Sequence, residues 1–197
     1  VLTTDYDGDY KTIVGTDIEI TYTASDQDRD EISFSLSGHA SASLTTLPNN
    51  RCKVTISATE ENVGSHKATL KADDGNGGIA SVEISYTIKA NSAPKIELVG
   101  SFNTDIKAGS TPKANFKITD PDGDAVSVAL TGDKAATLVK NSAESYTVNI
   151  AATAANEGKH NATLTAKDTR GGSATYVLSY TITVVHEPII EALSELD

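Results

Sequence analysis

Apolar and polar residues alternate one by one along most of this chain. Ile18, Ile20 and Tyr22 alternate with polar neighbours and run into the Asp-rich stretch SDQDRD at 25–30. Ile32, Phe34 and Leu36 follow; Cys52, Val54 and Ile56 come after a Pro48–Asn50 turn; then Ala68, Leu70 and Ala72. Past the glycines of 75–78 come Val82, Ile84, Tyr86 and Ile88. A period of two places every second side chain on one face, so each run predicts a half-buried antiparallel strand. The Gly, Pro, Asn and Asp residues between the runs supply turns. Shorter runs near Leu2–Thr4 and Ser43–Thr46 bring the unit to about seven strands, enough for a sandwich of two sheets.

The succession occurs twice. TDPDGD at 119–124 lies over SDQDRD at an offset of 94 residues, from Asp26 to Asp120, and the offset holds without a gap from there on. CKVTISAT (52–59) lies over YTVNIAAT (146–153), and NVGSHKATLKADDGNGGIA (62–80) over NEGKHNATLTAKDTRGGSA (156–174). The matches fall at Asp, Gly and alternating apolar positions, where a fold constrains the chain. Two domains are therefore predicted, 1–91 and 92–188. An acidic C-terminal tail, 189–197, breaks the repeat; Ile189, Leu193 and Leu196 have helical spacing there, and the tail reads either as a short cap or as the start of another unit.

Charge narrows the partners. The net charge is −11 over 197 residues, which repels a phosphate backbone, so nucleic acid is not an expected partner. No apolar run is long enough to span a membrane. Cys52 is the only cysteine, so no intrachain disulfide forms; it aligns with Tyr146 and reads as an inward-facing core residue. Met is absent, position 1 included, and no leader is legible, so the chain reads as a piece of a larger or processed polypeptide.

ASDQDRDEISFSL and TDPDGDAVSVAL, each followed by HKATLKADDGNGG or HNATLTAKDTRGG, resemble bacterial cadherin-like and related immunoglobulin-like surface repeats. The linker IKANSAP is similar to a shortened cadherin linker. The resemblance spans Leu2 to Pro188. It implies all-β Greek-key sandwiches, non-catalytic and extracellular or at the cell surface, which act as adhesins, spacers or accessory domains of surface enzymes.

The resemblance also implies calcium. The positions that match the cadherin ligands are Asp120 and Asp122 with Asp168 in the second unit, and Asp26 and Asp28 with Asp74 in the first, joined by the linker residue Asn91. Sandwich topology places the 119–124 and 167–172 turns at the end where the linker enters. The Thr59–Gly64 turn lies at the far end of the first unit, so Glu60 and Glu61 are expected to face the second unit's aspartates across the junction. Clustered carboxylates repel unless a cation neutralises them, and calcium accepts six to eight oxygens in flexible geometry. Several residues depart from the pattern. The linker lacks the family's aspartates, Ala154 and Ala155 replace Glu60 and Glu61 in the second copy, and Arg29 sits inside the first acidic turn. The same Asp-Pro-Asp-Gly-Asp run also reads as a tight turn with no ion. A further acidic run, Asp5, Asp7 and Asp9, has no counterpart in the second unit and reads as a solvated loop.

His66 and His160 align, each two residues after a glycine at the start of a strand. That is the corner where many sandwich domains tie a Tyr hydroxyl to the backbone, and histidine is expected to do the same here. His39 and His186 look isolated. Gly-x-Ser-x-Gly, His-Glu-x-x-His and phosphate-binding glycine loops are all absent, so no enzyme is expected. The leading expectation is a structural or adhesion module of a surface or secreted protein, with an unidentified surface protein or glycan as partner. The alternative is a carbohydrate-binding or spacer region of a larger protease or glycosidase. Glycan binding calls for exposed aromatic rings; Trp is absent, and Tyr6 and Tyr10 alone look free.

Overall fold

The alternating runs become strands in the computed structural model, which describes residues 1–4 and 8–188. The first unit contains β1 (Leu2–Thr4), β2 (Tyr10–Ile13), β3 (Ile18–Ala24), β4 (Ser33–Gly38), β5 (Ala42–Leu47), β6 (Arg51–Ile56), β7 (Gly64–Asp73) and β8 (Ile79–Lys89). The second contains β9 (Lys95–Val99), β10 (Asp105–Lys107), β11 (Lys113–Thr119), β12 (Ser127–Thr131), β13 (Ala136–Lys140), β14 (Ser145–Ile150), β15 (Gly158–Lys167) and β16 (Ser173–Thr183). Contacts divide the chain after Asn91.

Each unit is two four-stranded sheets. Their orders are β1-β3-β6-β5 and β2-β8-β7-β4 in the first unit, and β9-β11-β14-β13 and β10-β16-β15-β12 in the second. If β2 and β10 are set aside as an extra strand and the others lettered A to G, one sheet is ABED and the other CFG. That is the immunoglobulin-like Greek-key arrangement. Both units are therefore β-sandwich domains.

The period-two pattern explains the packing. Along β3 the burial alternates strictly, with Ile20, Tyr22 and Ala24 inward and Glu19, Thr21 and Thr23 outward. In the second unit Ala114, Phe116 and Ile118 do the same on β11. Cys52 pairs with Tyr22 and Tyr146 with Phe116, so the aligned positions occupy equivalent places in the two cores. Cys52 is fully buried, and burial pushes its thiol up to about 11, which keeps it protonated and unreactive.

The sequence pattern leaves out β2 and β10. They are four and three residues long, too short for alternation to register. They form because each finds a partner far along the chain: β2 runs parallel to β8 from Tyr10↔Tyr86 to Ile13↔Lys89, and β10 runs parallel to β16. Pairing on β8 also packs Tyr10 against the first core, so this ring is not free for a sugar. Asp5, Tyr6, Asp7 and the tail 189–197 lie outside the described residues.

Candidate functional site

The aligned aspartates hold their own loops. Asp26 Oδ1 accepts the backbone N–H groups of Asp28 and Asp30 at 2.8 and 3.2 Å, and Asp120 Oδ1 accepts those of Asp122 and Asp124 at 2.9 and 3.1 Å. In the final hairpin of each unit, Asp74 Oδ1 takes the amides of Asn76 and Gly78, and Asp168 Oδ1 those of Arg170 and Gly172, all at 2.8 Å. A short carboxylate that reaches amides two and four residues on closes a turn that has no sheet partner. Asp73 beside the first hairpin is held below the usual carboxylate range by the Lys71 ammonium and then by the Gly75 amide.

A second set of contacts ties the two turns of each unit together. Asn76 Nδ2 donates to Asp30 Oδ2 at 2.9 Å. In the second unit Arg170 Nε donates to both oxygens of Asp124, at 2.8 and 3.0 Å. The positions are equivalent, so an amide tie in one copy is an ion pair in the other. Asp122 Oδ2 accepts the Ser92 N–H at 2.7 Å and anchors the start of the second unit to this turn. Sequence reasoning missed Asp30 and Asp124 as partners. The signal lay in the alignment, where Asp30 and Asp124 match and Asn76 and Arg170 are both donors.

Arg29 has φ +67°, and the aligned Gly123 has φ +80°. A Cβ in this left-handed region is strained, whereas glycine enters it freely. Arg29→Gly is therefore expected to stabilise the first unit by about 0.5–1 kcal/mol, net of the added freedom of the unfolded glycine. Urea unfolding checks this, and a lowered midpoint would count against it.

For a cation the residues fit in part. Asp120 Oδ2 is buried and takes no hydrogen bond among the described residues, so its lone pairs could ligate a cation. The remaining donors do not converge: among the described residues no three His, Cys, Asp or Glu side chains group closely enough to hold a metal. The Oδ1 atoms of Asp120 and Asp168 are spent on amides, and Asp124 is neutralised by Arg170. In the first unit Asp26 and Asp74 are spent the same way and Asp28 is exposed in the turn. Glu60 and Glu61 are exposed on a 3-10 turn, Glu60–Asn62. Asn91 is the last residue of the first unit.

The corner histidines form a second duplicated constellation. His66 Nε2–H donates to the Asn62 carbonyl at 2.9 Å, and His160 Nε2–H to the Asn156 carbonyl at 2.6 Å. Around that shared bond the copies diverge. In the first unit His39 stacks on His66 with ring centroids 3.7 Å apart, and Ser41 Oγ bonds the Tyr86 hydroxyl at 2.7 Å. In the second unit Asp133 replaces His39; its Oδ2 lies 3.2 Å from His160 Nδ1 and accepts the Tyr180 hydroxyl. His39 is thus not isolated. Its neighbour is 27 residues along the chain and is brought close by the β4–β7 pairing, which spacing alone does not reveal.

Fold and sites together define a tandem of immunoglobulin-like β-sandwich domains in which the duplicated polar side chains brace turns. No protein-family model matches the chain, and no curated protein does. Among solved structures it is similar to an endo-fucoidan hydrolase of glycoside hydrolase family 107, at 15% identity and a TM-score of 0.40, over 94% of this chain and 29% of that one. It is similar to an I-band fragment of titin at 12% identity and a TM-score of 0.48, over 93% of this chain and 66% of that one. Extracellular cadherin domains 3–6 of protocadherin gamma B2 match at 18% identity and a TM-score of 0.40, over 93% of this chain and 47% of that one. The chain thus spans under a third of the hydrolase it matches. The fold class rests on the strand order itself.

Proposed function

We propose that this chain is a non-catalytic structural module of a cell-surface or secreted protein, a pair of sandwich repeats that resists tension while spacing or presenting other parts of the polypeptide. The supporting observation is the parallel pairing of the second strand of each unit with its last, β2 with β8 and β10 with β16, which carries the load once the short first strand, β1 or β9, has peeled from its sheet. Pulling the ends of a unit apart loads these parallel ladders along the strands, so their hydrogen bonds must fail together rather than one at a time. The ladders continue into Val14 N–H to the Lys89 carbonyl and Ala108 N–H to the Thr183 carbonyl, both at 2.9 Å.

Single-molecule extension of the whole chain tests the reading. Two abrupt unfolding events are expected, each releasing about 300 Å of chain at roughly 3.5 Å per residue. Val14→Pro deletes one donor of the first ladder and is expected to lower the force of one event, with the other as internal control. Smooth extension without force peaks would remove the proposal.

Calcium at the second unit's turn is a second reading, favoured by the buried oxygen of Asp120. In this reading Asp120 Oδ2 is the first ligand, and Asp122 and Asp168, which do not converge with it in the ion-free structure, close on the ion as it binds, its double charge offsetting the mutual repulsion of the carboxylates. A ligand bound only to the folded state stabilises by about 2.7 kcal/mol at a hundredfold excess over its dissociation constant. Millimolar calcium is expected to raise the melting temperature over chelator, and Asp120→Asn to cancel that rise. An unchanged melting temperature in the parent chain would rule out a tight site.

A further inference from the structure

Asn76 is followed by Gly77, and no other asparagine in the chain has a glycine after it. The pair lies in the hairpin loop between β7 and β8, exposed and outside both strands. Gly77 has φ +105°, and a Cβ there would meet nothing within 4 Å. Glycine backbone in an open loop can turn so that its nitrogen reaches the side chain before it. The Asn76 side chain donates from Nδ2 to Asp30 Oδ2 at 2.9 Å, and in an exposed loop such a bond opens at little cost.

The Asn76 amide is an electrophile with a nucleophile next in the chain. The Gly77 nitrogen, giving its proton to solvent, attacks Cγ of Asn76 and forms a C–N bond. The Cγ–Nδ2 bond breaks, and Nδ2 takes a proton from solvent and leaves as ammonia. Water then opens the cyclic imide. Attack at Cγ leaves aspartate; attack at the backbone carbonyl carbon leaves isoaspartate, whose chain runs through Cγ. In sum, an amide and a water become a carboxylate and an ammonium ion, with no oxidant or cofactor. A side chain on the following residue would crowd the attacking nitrogen, and Gly77 has none.

The product does not keep the tie between the turns. Nδ2 is the donor, whereas a carboxylate only accepts, so Asp30 would face a second negative charge. Isoaspartate does more. It adds a backbone atom between residues 76 and 77, while Asp74 Oδ1 holds the amides of Asn76 and Gly78 together, both at 2.8 Å. The second unit is protected by its side chain. Arg170 stands at the position of Asn76 and is also followed by a glycine, but its guanidinium ties the turns to Asp124 and has no carbonyl carbon to attack.

We propose that Asn76 is a self-modification site, at which attack by the Gly77 nitrogen turns the amide into a carboxylate and unties the two turns of the first unit while the second unit stays tied. Trypsin cutting after Lys71 and Lys89 releases Ala72–Lys89, in which Asn76 is the only side-chain amide. After ageing of the whole chain in warm, mildly alkaline buffer, mass spectrometry should show this peptide gaining the mass of amide-to-acid conversion about tenfold faster than His160–Lys167, where the exposed Asn161 precedes Ala162 in β15. Urea unfolding, followed by NMR so that each unit reports separately, should show Asn76→Asp lowering the folding equilibrium constant of the first unit about fivefold and leaving the second unchanged. Asp30→Asn added to Asn76→Asp returns a donor to the pair and should restore most of that loss. Asn76→Arg, which copies the second unit, should hold its first-unit midpoint through the ageing that lowers the parent's. Equal mass gain in the two peptides would overturn the proposal, as would Asn76→Asp unfolding with the parent or a loss that Asp30→Asn fails to restore. If Asn76→Asp does not fold, the peptide comparison and the aged Asn76→Arg variant still decide.

Discussion

Replacing Leu164 by alanine is expected to lower the stability of the second unit by about 3–5 kcal/mol, the upper part of the range for buried leucines. Leu164 lies in the middle of β15 with no exposed surface. It sits opposite Leu130 on one neighbouring strand and Tyr176 on the other. Hydrogen-bonded strands on both sides prevent the backbone from collapsing into the space, so the loss combines the transfer of a buried side chain with the cost of a cavity. A domain of this size is stable by about 5–15 kcal/mol, so the loss is a large share of the total. Urea unfolding should show a lower midpoint with an unchanged slope. Val177, on the adjacent β16 but 54% exposed, is the control; Val177→Ala should stay within about 0.5 kcal/mol. Similar losses at both sites would mean that this sandwich is not organised around Leu164.

Gly132→Ala should cost about 2–4 kcal/mol, through the backbone rather than through lost burial. At Gly132 φ is +99°, and a Cβ would sit 2.5 Å from the carbonyl oxygen of Asn161. That oxygen belongs to β15, fixed in the sheet on both sides, so it cannot retreat as a flexible side chain would. The aligned Gly38 has the same constraint: φ is +117° and the Lys67 carbonyl oxygen would be 2.6 Å away. Strain and clash separate in a comparison with Gly123→Ala, where φ is +80° and the space is open. That change should cost only the left-handed backbone term, about 1 kcal/mol. Equal melting temperatures for the two variants would show that β15 yields and that the close approach is not the reason for glycine.

Much of the fold is legible in the sequence because a two-residue period maps directly onto inward and outward faces. Ile20 and Tyr22, or Ala114 and Phe116, declare their burial by alternation alone, and the 94-residue offset shows which positions both units need. The candidate site was legible only as a set of residue types. Asp26, Asp74, Asp120 and Asp168 stand out in the alignment, but a carboxylate that closes a turn and one that holds a cation look alike in a sequence. The difference lies in where each Oδ1 points, which is set by loop conformation. Tyr10 shows the same limit: four residues of strand do not reveal that β8 will pack its ring on the core.

The sequence by itself determined two sandwich units, the faces of their strands, the inward place of Cys52 and the corner role of His66 and His160. These follow from local periodicity and from comparing one copy with the other. Only the tertiary structure decided that β2 and β10 run parallel to the last strands, that Arg170 answers Asp124, and that His39 stacks on His66 where Asp133 meets His160 in the other copy. Each of these joins residues from separate strands and turns in a geometry of a few ångströms. Distance and direction of that kind arise when the sheets assemble and leave no period in the chain.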